Sequence, residues 1–74
     1  MNNNIFIELK TEYEFLTAVE KSIADIILSD PKKFISYTMA ELSQVSGVSQ
    51  GSINNFSKKF TSSGFSALKL KVAG

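Results

Sequence analysis

Apolar residues recur at spacings of three and four along most of the chain, and the strict alternation of a half-buried strand is hardly present, so the pattern predicts helices. Ile5, Phe6 and Leu9 suggest a short first helix. Val19, Ile23, Ile26 and Ile27 form one stripe facing a core, with Lys21, Ser22 and Asp25 on the other side, and predict a helix running to about Ser29. Its start is marked by Thr17-Ala18-Val19-Glu20, the spacing of a capping box. There a Thr hydroxyl and a Glu carboxylate satisfy backbone N–H groups that a helix start leaves unpaired. Asp30-Pro31 stops that helix and begins a short one through Phe34 and Ile35, since Pro tolerates the first helical position and Asp is a good N-cap.

Thr38-Met39-Ala40-Glu41 is a second capping box, and the helix behind it is brief, because Gly47 stands where a left-handed C-terminal residue is expected. Ser49 caps the next helix, from about Gln50 to Phe60, with Ile53, Phe56 and Phe60 pointing inward. Thr61-Ser62-Ser63-Gly64 reads as a turn, and Phe65, Leu68 and Val72 as the apolar side of a final helix. The sum is an all-α fold, a compact bundle of about five short helices forming one domain over residues 1–74.

Composition narrows the chemistry. With neither cysteine nor histidine, the chain lacks a thiol nucleophile, the usual zinc ligands and the usual general base, so no catalytic residue, metal or cofactor is expected. Scattered carboxylates such as Asp25 and Asp30 read as a solvated face and an N-cap rather than an acid–base pair. Apolar runs such as Ile26-Ile27-Leu28 are far shorter than the roughly 20 residues of a membrane span, and Met1-Asn2-Asn3-Asn4 lacks the basic start of a signal peptide. A soluble, cytoplasmic protein without membrane contact is the expectation.

Charge is unevenly placed. Residues 1–41 hold seven carboxylates and four lysines, net −3, whereas residues 42–74 hold Lys58, Lys59, Lys69 and Lys71 and no carboxylate, net +4. A basic half with nothing to repel a polyanion is the footprint of nucleic-acid contact, although a solvated face that binds nothing gives the same count.

A short helix, a tight turn with Gly47 and a second helix starting near Ser49 have the spacing of a helix-turn-helix, with Val48 packed into the corner. Ala40, Leu42 and Val45 on the first helix, with Ile53 and Phe56 on the second, are small or apolar where crossing helices must touch. Any packed helix pair in an all-α domain gives a similar pattern, so the outer face decides. At about 100° per residue from Ile53, Gly51, Asn55 and Lys58 fall on the opposite side, flanked by Ser52, Asn54 and Lys59. Asn can pair with adenine N6 and N7 in a major groove, Lys can reach guanine or a phosphate, and Ser serves either. Gly51 in a first helical turn costs about 1 kcal/mol against Ala. Its missing side chain admits close approach of a backbone, or reflects simple tolerance near a helix end.

The order of these signals resembles a known family. Leu16-Thr17-Ala18-Val19-Glu20, Ile23-Ala24-Asp25-Ile26-Ile27, Asp30-Pro31, Met39-Ala40-Glu41-Leu42, Gly47-Val48-Ser49, Phe56, and Gly64-Phe65 with Leu68-Lys69 are similar to the N-terminal domain of RpiR-type transcriptional regulators. The resemblance covers nearly everything from Leu16 to Val72. It implies a helix-turn-helix domain that binds double-stranded operator DNA as a homodimer and is usually followed by a sugar-isomerase-like domain sensing a phosphosugar. That second domain is absent from these 74 residues, so the chain is expected to be a fragment of a longer regulator.

On this reading Ser49 caps the recognition helix, Gln50, Ser52 and Asn55 approach the bases, Lys58 and Lys59 hold phosphates, and Gly51 and Asn54 belong to the same DNA-binding face. Relatives commonly carry Arg where Asn55 stands and Gly-Phe where Thr61-Ser62 stands. With no arginine anywhere in the chain, phosphate contacts fall to lysine point charges, and Asn55 implies an A·T-leaning operator. The competing reading is a dimerisation or protein-docking module whose apolar surplus, Ile5, Phe6, Leu9 and Tyr13, meets another subunit.

Overall fold

The computed structural model describes residues 4–74, so the polar start Met1-Asn2-Asn3 lies outside the described residues. Helix α1 (Ile5–Glu12) leads through a single 3-10 turn, Tyr13–Phe15, to α2 (Ala18–Ser29), α3 (Pro31–Ser36), α4 (Met39–Ser46), α5 (Gln50–Phe60) and α6 (Phe65–Ala73). The described residues thus contain six α-helices and no strand, one helix more than the count of about five.

Local chemistry sets the boundaries. In both capping boxes the reciprocal pairs form: Thr17 Oγ1 accepts from the Glu20 amide at 3.2 Å while Glu20 Oε1 accepts from the Thr17 amide at 2.9 Å. Thr38 and Glu41 repeat this at 3.1 and 2.9 Å. Asp30 serves two helices, its amide donating to the Ile26 carbonyl to close α2 and its carboxylate accepting from the Lys33 amide to open α3. Gly47, at φ 75° and ψ 12°, supplies the left-handed residue that ends α4. Asn4 caps α1 by accepting from the Phe6 amide at 2.9 Å, which the apolar pattern does not reveal.

The core runs through all six helices. Leu9, Ile23, Ile27, Phe34, Leu42, Ile53, Phe56 and Leu68 have no exposed surface. Each contributes about 1.5–3 kcal/mol by leaving water. Helix α6 lies against α3, α5 and α1, with Phe65 meeting Phe34 edge-on at 5.8 Å between ring centres.

Three expectations about facing need correction. Val19 is 45 % exposed and Ile26 only half-buried, because the inward face of α2 is centred between Ile23, Ala24 and Ile27, about 60° round from the expected stripe. On α4, Leu42 is buried but Ala40 is exposed and Val45 is 57 % exposed. The face turned to α5 is completed by Met39, Ser43 and Ser46, all half-buried. Ser46 fits there because its hydroxyl donates to the Leu42 carbonyl at 2.7 Å and accepts from the Val48 amide at 3.2 Å. Finally, Ile5 and Leu9 are not a docking surface: both sit in this chain's own core, with Phe6 and Tyr13 packed against it.

Candidate nucleic-acid interface

Helices α4 and α5 are joined by three residues with three separate tasks. Gly47 turns the chain, Val48 is buried in the corner, and Ser49, in extended conformation, caps α5. The Ser49 hydroxyl oxygen accepts from the Ser52 amide at 3.2 Å and the hydroxyl donates to Ser52 Oγ at 3.0 Å. Both serine side chains are therefore engaged in building the helix start. Ile53, Phe56 and Phe60 anchor the inner face of α5, Phe56 and Phe60 with ring centres 5.0 Å apart. Ser57 is fully buried among them and returns its hydroxyl to the Ile53 carbonyl at 2.8 Å.

Of the expected contact residues, Ser49, Gln50, Gly51, Asn55, Lys58 and Lys59 are exposed, and Ser52 and Asn54 are half-buried. A side chain at Gly51 would meet nothing nearer than Ser49 Oγ at 4.0 Å, so the fold itself does not demand glycine there. Asn54 belongs to the edge of α5 that faces the next turn, with its Oδ1 3.2 Å from where a Gly64 side chain would begin. Among the described residues, Gln50, Asn55 and Lys58 make no side-chain hydrogen bond and Lys58 no ion pair.

The lysines do not form the patch that the charge count suggests. Lys59 Nζ stands 2.9 Å from Glu20 Oε2. Lys69 donates to the Tyr37 carbonyl at 2.9 Å and lies over the Phe65 ring. Lys71 donates to the Phe60 carbonyl at 2.9 Å and pairs with Glu8 at 3.1 Å. A cation at the last carbonyls of α5 is favoured by the helix dipole. Of the four lysines beyond residue 41, Lys58 alone keeps a free ammonium among the described residues.

Glu20 is held in its charged form by its neighbours. The Thr17 backbone amide, and then the Lys59 ammonium, hold its carboxyl below the usual glutamate range. A depressed folded value means that the contribution is present above the unfolded pKa and lost as pH falls through the folded one. Thermal melts from about pH 7 to below about pH 4 should show wild type and Glu20→Gln converging as the solution is acidified. A gap of constant size would exclude this linkage.

A compact all-α bundle with a tight turn at Gly47 and an exposed, carboxylate-free second helix defines a helix-turn-helix DNA-binding domain. The chain belongs to the rpiR family of helix-turn-helix domains, whose family model matches residues 3–74. It is 29 % identical over 70 residues to the HTH-type transcriptional regulator HexR of Pseudomonas aeruginosa, a match covering 95 % of this chain and 25 % of that protein. An HTH-type transcriptional regulator of Thermotoga maritima is 41 % identical over 66 residues, 88 % of this chain and 24 % of that protein. The HTH-type transcriptional regulator YfhH of Escherichia coli is 31 % identical over 70 residues, 95 % of this chain and 25 % of that protein. The chain thus spans about a quarter of the length of the curated relatives it matches. No described helix is long and apolar enough to cross a membrane.

Proposed function

We propose that this domain is the operator-reading part of a cytoplasmic transcriptional regulator and that two copies bind one duplex, each placing α5 in a major groove. The observation that supports this reading is the outer face of α5, where Gln50, Asn55 and Lys58 stand exposed and unengaged beside the open Gly51. Gln50 and Asn55 carry amides able to pair with adenine, and Lys58 is a point charge for a phosphate. Ser49 and Ser52 act first as builders of the helix start, leaving their oxygens as additional acceptors. Asn54, at the edge over the α5–α6 turn, reaches only a backbone that wraps toward that turn. Two copies related by a twofold axis would read half-sites about 34–36 Å apart. The phosphosugar response belongs to a sugar-isomerase-like domain outside these 74 residues.

Selection of bound sequences from a random duplex pool tests this directly: the expected result is an enriched, A·T-leaning palindrome with half-sites one helical turn apart. Recovery of no preferred sequence would refute the proposal. Against the enriched duplex, Lys58→Ala should flatten the slope of log K on log[salt] by about one, the loss of one neutralised phosphate. Asn55→Ala should relax the preference at one base pair by a factor of about 5–150, the range of a good bidentate contact.

A further inference from the structure

The C-terminal end of α5 is gripped by carboxylates rather than left open to a polyanion. Lys59 points from α5 toward the start of α2, where Glu20 uses one oxygen for the Thr17 amide and the other for the Lys59 ammonium, both at 2.9 Å. The acceptor is fixed before the lysine arrives, because the capping box already orients that carboxylate. Lys59 also lines a cavity of about 360 Å³ with Ile7, Glu8, Thr11, Glu12 and Phe60, so Glu8 and Glu12 of α1 share its surroundings. On the far side of Phe60, Lys71 holds the terminal carbonyl of α5 and ties it to Glu8. Three carboxylates surround this end: Glu20 and Glu8 pair with the Lys59 and Lys71 ammonium groups, and Glu12 lines the cavity.

We infer that Lys59 is a positioning residue that fixes the tilt of α5 on α2, and that it makes no phosphate contact in the DNA complex. This corrects the expectation that Lys58 and Lys59 act together, and it rests on the DNA-binding reading above. A phosphate approaching Lys59 would have to displace Glu20 from a capping box and come within reach of Glu8 and Glu12. Lys58, one residue earlier and about 100° round the helix, meets none of these obstacles. The duplex therefore lies along the N-terminal half of α5 and Lys58, with the acidic rim of α1 and α2 outside the contact. Lys59→Arg keeps both the cation and the intact Glu20 capping box, so it separates loss of the tie to α2 from a general effect of substitution at this position.

The test is the salt dependence of binding of the 74-residue chain to a fluorescein-labelled duplex carrying the selected palindrome, read by anisotropy, for wild type, Lys58→Ala, Lys59→Ala and Lys59→Arg. Circular dichroism at the same temperature confirms that each variant is folded, and Lys59→Gln replaces Lys59→Ala if the latter is not. Expected are a slope reduced by about one in Lys58→Ala, and a wild-type slope with affinity lowered at least threefold at every salt concentration in Lys59→Ala. Lys59→Arg, which can still reach the Glu20 carboxylate, should keep most of the wild-type affinity. A slope flattened by about one in Lys59→Ala overturns the inference, as does unchanged affinity in that variant or an equal loss of affinity in Lys59→Arg. If wild type itself binds no duplex, the DNA-binding reading fails before the Lys59 assignment is reached.

Discussion

Phe56→Ala is expected to destabilise the domain by about 3–5 kcal/mol, the cost of emptying a well-packed aromatic site. Phe56 has no exposed surface, lies beside the Phe60 ring and belongs to the same face of α5 as Ile53. Domains of ordinary size hold only about 5–15 kcal/mol in total, and a chain this small sits toward the low end. The melting temperature should therefore fall by at least ~12 °C. Urea unfolding should show the midpoint moving with its slope unchanged, and a loss below about 1 kcal/mol would mean that the site collapses around the missing ring. The neighbouring residue provides the contrast. Asn55→Ala removes an exposed amide with no partner inside the chain, so it should leave the melt within about 0.5 kcal/mol of wild type while altering DNA preference.

The second large effect is expected at Gly64. This residue adopts φ 99° and ψ −157°, a region that is essentially glycine's own, and it is buried where α5 turns into α6. A methyl group there would also begin 3.2 Å from Asn54 Oδ1, close enough to push the amide aside. Gly64→Ala should cost about 1–3 kcal/mol, and more if the amide cannot move. Adding Asn54→Ala should return only the part due to crowding, because the backbone strain stays. Full recovery in the double variant would show that contact, not conformation, is what glycine avoids. Gly47→Ala is a milder change, near 1 kcal/mol, because the space around Gly47 is open and only its left-handed backbone opposes a side chain.

Legibility in the sequence followed the range of the interaction. Both capping boxes, the Asp30-Pro31 junction, the Gly47 turn and the Ser49 cap depend on residues within four positions of one another, and each formed where the spacing indicated. The faces of α2 and α4 depend on what packs against them, and there the periodicity misplaced Val19, Ala40 and Val45. Ser46 and Ser57 were invisible as interior residues because a hydroxyl reads as polar. Their position four residues after a helical carbonyl was the available signal, since that geometry lets the hydroxyl satisfy itself within the helix.

For the site, the exposed stripe of Gly51, Asn55 and Lys58 lies where a rotation of about 100° per residue puts it. The occupation of the lysines was not readable. Lys59, Lys69 and Lys71 meet partners 39, 32 and 63 residues away in the chain, and a tally of charges treats a consumed ammonium and a free one alike. Gly64 was legible as part of a turn but not as the position with the most restrictive backbone among the described residues.

That consumption of cations bears on how such a domain would behave among the vast excess of irrelevant sequence in a chromosome. Loose adhesion to arbitrary duplex is driven by counterion release, and residues 42–74, in which Lys58 alone keeps a spare ammonium group among the described residues, gain little from it. Modest absolute affinity for one site can then still be selective, because discrimination is set by the ratio of tight to indiscriminate binding.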